Sequence, residues 1–235
     1  AVLTVEKVGK VDLPAPDIFF GNSKMEVTDT DIYKSDQVFT RGQMITVTGI
    51  DNLNEWWIDP DFFEKQSDGT LKFLPINGDY RVTANGILKY FSVIALKDGK
   101  PAKLQDDGTG AIWAIGKGIG KPSVTSSEVG WETGKALCLA QVAPKKYQLT
   151  LKAGETLKTS GDWEAISFKF FYQNDWGGEF SNYASNTLVE QLKLTGSGNL
   201  EMQDNKAFEE GGVYRFTIDV TNGNANAILK VEKIN

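Results

Sequence analysis

The sequence contains no histidine. That single absence removes Ser-His-Asp and Cys-His catalysis, histidine-ligated zinc and a histidine general base. Any chemistry would have to run on carboxylates, lysine or tyrosine. Cysteine is nearly as scarce. Cys138 stands alone, so no intrachain disulfide can form, and its setting in Ala136-Leu137-Cys138-Leu139-Ala140 reads as a small buried hydrophobe rather than a reactive thiol. Positive charge is also in short supply: at −6, with a pI near 4.9 and no Lys/Arg cluster, the chain lacks the basic footprint that phosphate backbones require. Nucleic acid is not expected as a partner. No apolar run approaches the ~20 residues a membrane-spanning helix needs. The start, AVLTVEKVGK, has no basic region followed by an apolar block, so residue 1 reads as a mature or trimmed start, with any targeting or lipid signal outside the sequence.

Helical periodicity is nearly absent. In its place stand short alternating runs bounded by Gly, Asn, Asp and Pro, such as Met44-Ile45-Thr46-Val47-Thr48, Tyr80-Arg81-Val82-Thr83-Ala84 and Tyr147-Gln148-Leu149-Thr150-Leu151. This pattern predicts an all-β chain built of β-sandwiches. A polar stretch with Pro and three glycines, KDGKPAKLQDDGTG at 97–110, predicts a boundary between modules at 1–100 and 111–235. Both halves close alike. Gly78-Asp79-Tyr80-Arg81-Val82-Thr83 is echoed by Gly212-Val213-Tyr214-Arg215-Phe216-Thr217, and Ile87-Leu88-Lys89 by Ile228-Leu229-Lys230. A duplicated module ending in a hairpin is the expectation.

Motifs for chemistry are thin. Gly116-Lys117-Gly118-Ile119-Gly120-Lys121-Pro122 lacks the upstream glycine and following Ser/Thr of a P-loop, and reads as a strand leaving into a mobile loop. Asp59, Asp61 and Glu64 lie near Trp56-Trp57, and Asp162, Glu164, Asp175 and Glu179 near Trp163 and Trp176. A glycosidase would need two carboxyls facing each other across a bond, which spacing along the chain cannot supply, and surface acids are common. No calcium loop is present, and neither a metal nor a cofactor is expected. The tryptophans are more informative. Trp113 alternates within an apolar run and reads as core, whereas Trp131 and Trp176 sit among glycines and polar residues, in turns. A flat apolar ring in such a place suits the C–H face of a sugar, with nearby Lys, Asn, Asp and Gln free for its hydroxyls. The alternative is a loop-anchoring core residue. The adjacent Trp56 and Trp57 must point oppositely in a strand, leaving one of them available for a second site.

Three segments of the second half, GWETGKALCLAQV (130–142), KKYQLTLKAGETLK (145–158) and FKFFYQNDWGGEF (168–180), precede the closing GGVYRFTIDV. Their order resembles the carbohydrate-binding-module-like domains of SusE/SusF-type surface glycan-binding lipoproteins of Bacteroidetes. In the first half, ITVTGIDNLNEWWIDPDFF (45–63) with GDYRVTANGILKYF (78–91) resembles the sandwich domain preceding such modules. The resemblance implies two tandem immunoglobulin-like β-sandwiches without catalytic activity, held at the outer-membrane surface by a lipid anchor outside this sequence. It further implies capture of a polysaccharide or oligosaccharide beside a TonB-dependent transporter. By position it puts Trp131 and Trp176 on the sugar, with Lys169, Asn174 and Asp175 as polar helpers. Glu132 and Thr133 depart from the starch binders, so starch is not the expected ligand. A structural or adhesin-like module and a carboxylate-dependent glycosidase stand as the other classes.

Overall fold

In extended backbone successive side chains point to opposite faces, so an alternating run can bury one face and wet the other. In the computed structural model, which describes residues 15–160 and 165–235, such runs form nearly all of the regular secondary structure. The first half holds β1 (Phe19–Phe20), β2 (Ser23–Lys24), β3 (Glu26–Asp29), β4 (Ile32–Phe39), β5 (Met44–Ile45) and β6 (Val47–Thr48). It continues with β7 (Phe63–Lys65), β8 (Leu71–Phe73), β9 (Gly78–Asn85), β10 (Tyr90–Lys97) and β11 (Lys100–Pro101). The second half begins with β12 (Trp113–Gly120), the short helix α1 (Val124–Ser127), β13 (Glu128–Gly130), β14 (Leu137–Cys138), β15 (Ala140–Ala143) and β16 (Lys146–Lys152). It ends with β17 (Ser167–Phe171), β18 (Ser185–Thr187), β19 (Leu192–Leu194), β20 (Leu200–Met202), β21 (Val213–Asp219) and β22 (Ile228–Lys233). Asp162, Trp163, Glu164 and the start of the chain, AVLTVEKVGK, lie outside the described residues.

The two halves share one pairing scheme. In the first, β4 pairs with β3 and β9, β9 with β10, β8 with β5 and β7, and β1 with β6. In the second, β16 pairs with β15 and β21, β21 with β22, β20 with β17 and β19, and β12 with β17. β5 and β6, interrupted at Thr46, together take the place of β17. One half of the sequence echo is structural and the other is not. Gly78 and Gly212 both lie against the ring of the tyrosine two residues on, Tyr80 and Tyr214. The Ile-Leu-Lys segments do not correspond: Ile87 lies in the β9–β10 turn, 68% exposed, while Ile228-Leu229-Lys230 lies within β22. The residue opposite Ala84 is Phe91 and that opposite Ile218 is Leu229, so the two copies are out of step there.

In the second half, a six-stranded sheet and a five-stranded sheet close on one core, where Phe168 and Phe170 of β17 meet Phe216 of β21 at ring distances of 5.5 and 6.4 Å. In the first half, the β11-β10-β9-β4-β3 sheet meets the smaller sheets through Phe91 on Phe20 and Phe39 on Phe73. Each such phenylalanine stabilises by about 1.5–3 kcal/mol through the apolar surface it buries.

The polar boundary stretch is not a free tether. Leu104 and Ala102 are buried in the second core, and the Leu104 N–H donates to the Tyr172 carbonyl. The glycine-rich run also departs from expectation. β12 continues through Gly120 because its glycines let neighbouring backbone close over it: a Cβ at Gly116 would come within 2.3 Å of Phe168 Cα, and one at Gly120 within 2.3 Å of the Ser127 carbonyl. Lys121, in place of a mobile loop, is 4% exposed.

Candidate functional site

Trp131 follows β13, whose last residue, Gly130, turns the chain with φ +58° beside β12. The turn beyond it is closed by Lys135, which donates its N–H to the Glu132 carbonyl and its ammonium to Glu132 Oε1, each at 3.0 Å. Trp176 lies in the loop after β17. There the Tyr172 N–H reaches the Gly178 carbonyl at 2.5 Å, and the Gln173 side-chain amide reaches the Trp176 carbonyl at 2.6 Å. Asp175 Oδ1 accepts the Trp176 N–H at 2.8 Å. Below the loop, the rings of Phe171 and Trp176 meet in a T-shaped contact at 5.8 Å and 74°. The alternation of β17 therefore serves two surfaces: Phe168 and Phe170 fill the core, while Phe171 supports Trp176 from the opposite face.

The two loops bring their indoles together. The rings of Trp131 and Trp176 lie 6.4 Å apart with planes 29° from parallel, and are 36% and 49% exposed. A third ring between near-parallel faces needs about 7 Å, two van der Waals contacts of roughly 3.5 Å. The spacing is smaller, so a planar ligand would lie across the pair, which forms one apolar ledge.

The predicted helpers are placed differently from one another. Lys169 shares the face of β17 with Phe171, the side that carries the ledge, and is half-buried. Asp175 holds the loop through its Oδ1. Asn174 has a buried Oδ1 with no hydrogen-bond partner. Of the three helpers it alone has a buried polar atom left unpaired. Gln173, which locks the loop, was not among the predicted site residues, and nothing in its sequence setting distinguishes it.

The Trp56-Trp57 pair forms no exposed platform. Trp56 is 8% exposed and stacks on Phe91 at 4.6 Å, within the first core. Trp57 is half-buried at the junction of the modules, where its indole N–H donates to Glu155 Oε1 at 2.5 Å. The neighbouring carboxylates are occupied at the same junction. Lys121 Nζ lies 2.7 Å from Asp59 Oδ2 and 3.2 Å from Asp61 Oδ2, with all three residues 4% exposed or less. Asp61 also accepts from Gln148 Nε2, Thr150 Oγ1 and the Thr150 N–H at 2.6–2.8 Å. Burial pushes the Asp59 carboxyl above its ordinary value, and the Asp61 charge adds to this. For Asp61, burial pushes up too, but Lys121 and the donors from Gln148 and Thr150 outweigh it and hold the carboxyl low. This trio pins the modules together, with its charges matched within it.

Two family models match the chain in tandem. Residues 11–104 match the model described as Domain of unknown function (DUF5125), and residues 107–221 the one described as Domain of unknown function (DUF5121). No curated protein matches the chain.

Proposed function

We propose that this chain is a non-catalytic glycan binder whose ligand stacks on the ledge formed by Trp131 and Trp176. The supporting observation is that two solvent-facing indoles, from loops far apart in sequence, come together at 6.4 Å on a backing ring, Phe171. Exposed aromatic faces with few polar groups suit the apolar face of a pyranose, and they bind single sites weakly, so such proteins work through multivalency. Of the carboxylates noted in the sequence, Asp59 and Asp61 are occupied by Lys121, so that pair is not free to serve as an acid and a base. We also take the modules to be immunoglobulin-like sandwiches. The Tyr80 hydroxyl donates to the Ile76 carbonyl at 2.8 Å, the arrangement of a tyrosine corner. Placement at the outer-membrane surface through a lipid anchor, beside a TonB-dependent transporter, belongs to this proposal through the SusE/SusF-type resemblance alone.

One observation favours a second reading. The loop after β6 is the topological counterpart of the loop after β17, and its Trp57 docks one module on the other. On that reading Trp176 docks a further protein surface, as in an adhesin-like module. Tryptophan fluorescence across a panel of neutral polysaccharides separates the two. Glycan binding predicts quenching or a blue shift with at least one polysaccharide and no release of reducing sugar. An unchanged spectrum across the panel overturns it in favour of protein docking, and sugar release overturns the non-catalytic assignment.

A further inference from the structure

Beside the ledge, a cleft of about 310 Å³ opens between the modules. Its second-module wall includes Trp113, Leu137 and Cys138, and the two loops that carry the tryptophans add Asn174, Gly134 and Lys135. The first-module wall is the outer face of the β9–β10 hairpin, where Thr83 and Ser92 are direct cross-strand partners, with Tyr90 beside them. Three polar groups here are unspent. Asn174 Oδ1 is buried without a partner, and among the described residues neither the Thr83 nor the Ser92 hydroxyl bonds to protein. Folded proteins leave few buried polar atoms unpaired, so Asn174 Oδ1, facing the half-buried, unbonded hydroxyls of Thr83 and Ser92, calls for a ligand with hydroxyls.

Charge narrows the ligand class. The Lys121 ammonium that borders the cleft is matched by Asp59 and Asp61, and that of Lys135 by Glu132. Among the described residues lining the cleft, no cation is left over for a uronate or a sulfate. The volume lies at the lower end of the roughly 300–1,000 Å³ range of ligand pockets, which suits one ring rather than a chain segment. The buried trio at the junction fixes the walls in advance, so little ordering is needed on binding.

We propose that this intermodular cleft is a second subsite, taking one neutral pyranose of the same glycan that lies on the Trp131–Trp176 ledge. It rests on the glycan reading above, and it adds hydrogen-bonding specificity to a surface that otherwise only stacks. Both modules then share one ligand, and the junction becomes part of the site.

The test is a ¹⁵N-resolved titration of the whole chain with a set of neutral hexasaccharides differing in sugar and linkage, followed by calorimetry on Thr83→Val/Ser92→Ala. The expected result is movement of the Trp131 and Trp176 indole signals together with the Thr83 and Ser92 amides. Loss of two hydrogen bonds predicts that the double variant binds the active hexasaccharide about tenfold more weakly, with disaccharide binding and thermal midpoint unchanged. Indole movement alone, with the double variant at wild-type affinity, overturns the cleft subsite and leaves the ledge standing. Movement of Thr83 and Ser92 without the indoles overturns the ledge and the continuity of the two. No movement with any hexasaccharide overturns the glycan reading, and the subsite falls with it.

Discussion

The ammonium of Lys121, in the second module, lies 2.7 Å from the carboxylate of Asp59 in the first, and almost no solvent reaches either. Removing one member of a buried ion pair leaves the other charge uncompensated, at a cost of about 3–5 kcal/mol. Lys121→Met should therefore lower the thermal midpoint strongly. Asp59→Leu added to it should recover part of the loss, since one stranded carboxylate is then gone. Calorimetric melting of both variants checks the order.

The same trio sets a pH dependence. Asp61 is held below the ordinary carboxylate value of 3.8, so its contribution is present above 3.8 and lost as pH falls through its folded value. Lys121 is pushed down by burial, but Asp59 and Asp61 outweigh this and raise it above 10.5. Its contribution is present below 10.5 and lost as pH rises through the folded value. Asp59 runs the other way from Asp61: raised above 3.8, it favours folding most below 3.8 and loses that contribution as pH climbs through its folded value. Urea midpoints followed with pH should show an alkaline fall that Lys121→Met lacks, and an acid fall that is reduced in Asp61→Asn.

Trp57 tests whether the first module has a stacking site of its own. Its indole N–H bonds to a carboxylate at the junction, and a hydrogen bond to a charged group is worth about 1.5–3 kcal/mol. Trp57→Phe should cost stability in that range and leave glycan affinity at the wild-type value.

Cys138 offers a simple check on packing. Burial pushes its thiol up to about 12. A thiol reagent at neutral pH should leave the native chain unmodified and label it fully in denaturant.

Much of the architecture was legible from sequence because alternation is a local signal: Phe168 and Phe170 declare their inward face within five residues. The Gly-x-Tyr-Arg echo was legible for the same reason, since the glycine and the tyrosine ring that covers it are two residues apart. Lys121 was not, because its carboxylates lie some 60 residues away and a lone lysine after a glycine run carries no mark of burial. The glycines of β12 suggested a loop, since the backbone that closes over them comes from elsewhere in the chain. Trp131 and Trp176 stood out through their glycine neighbours, but only the fold sets their mutual distance. For Trp56 and Trp57 strand alternation offered one ring to solvent, and the packing of the second module took it.

The most direct measurement of the central claim is calorimetry of a binding hexasaccharide with wild-type protein, Trp131→Ala and Trp176→Ala. Each indole supplies a ring face to one ledge, so each variant should bind about 10–100-fold more weakly, the loss of roughly 1.4–2.8 kcal/mol, with the fold intact by circular dichroism. Affinity unchanged in both variants would contradict the account.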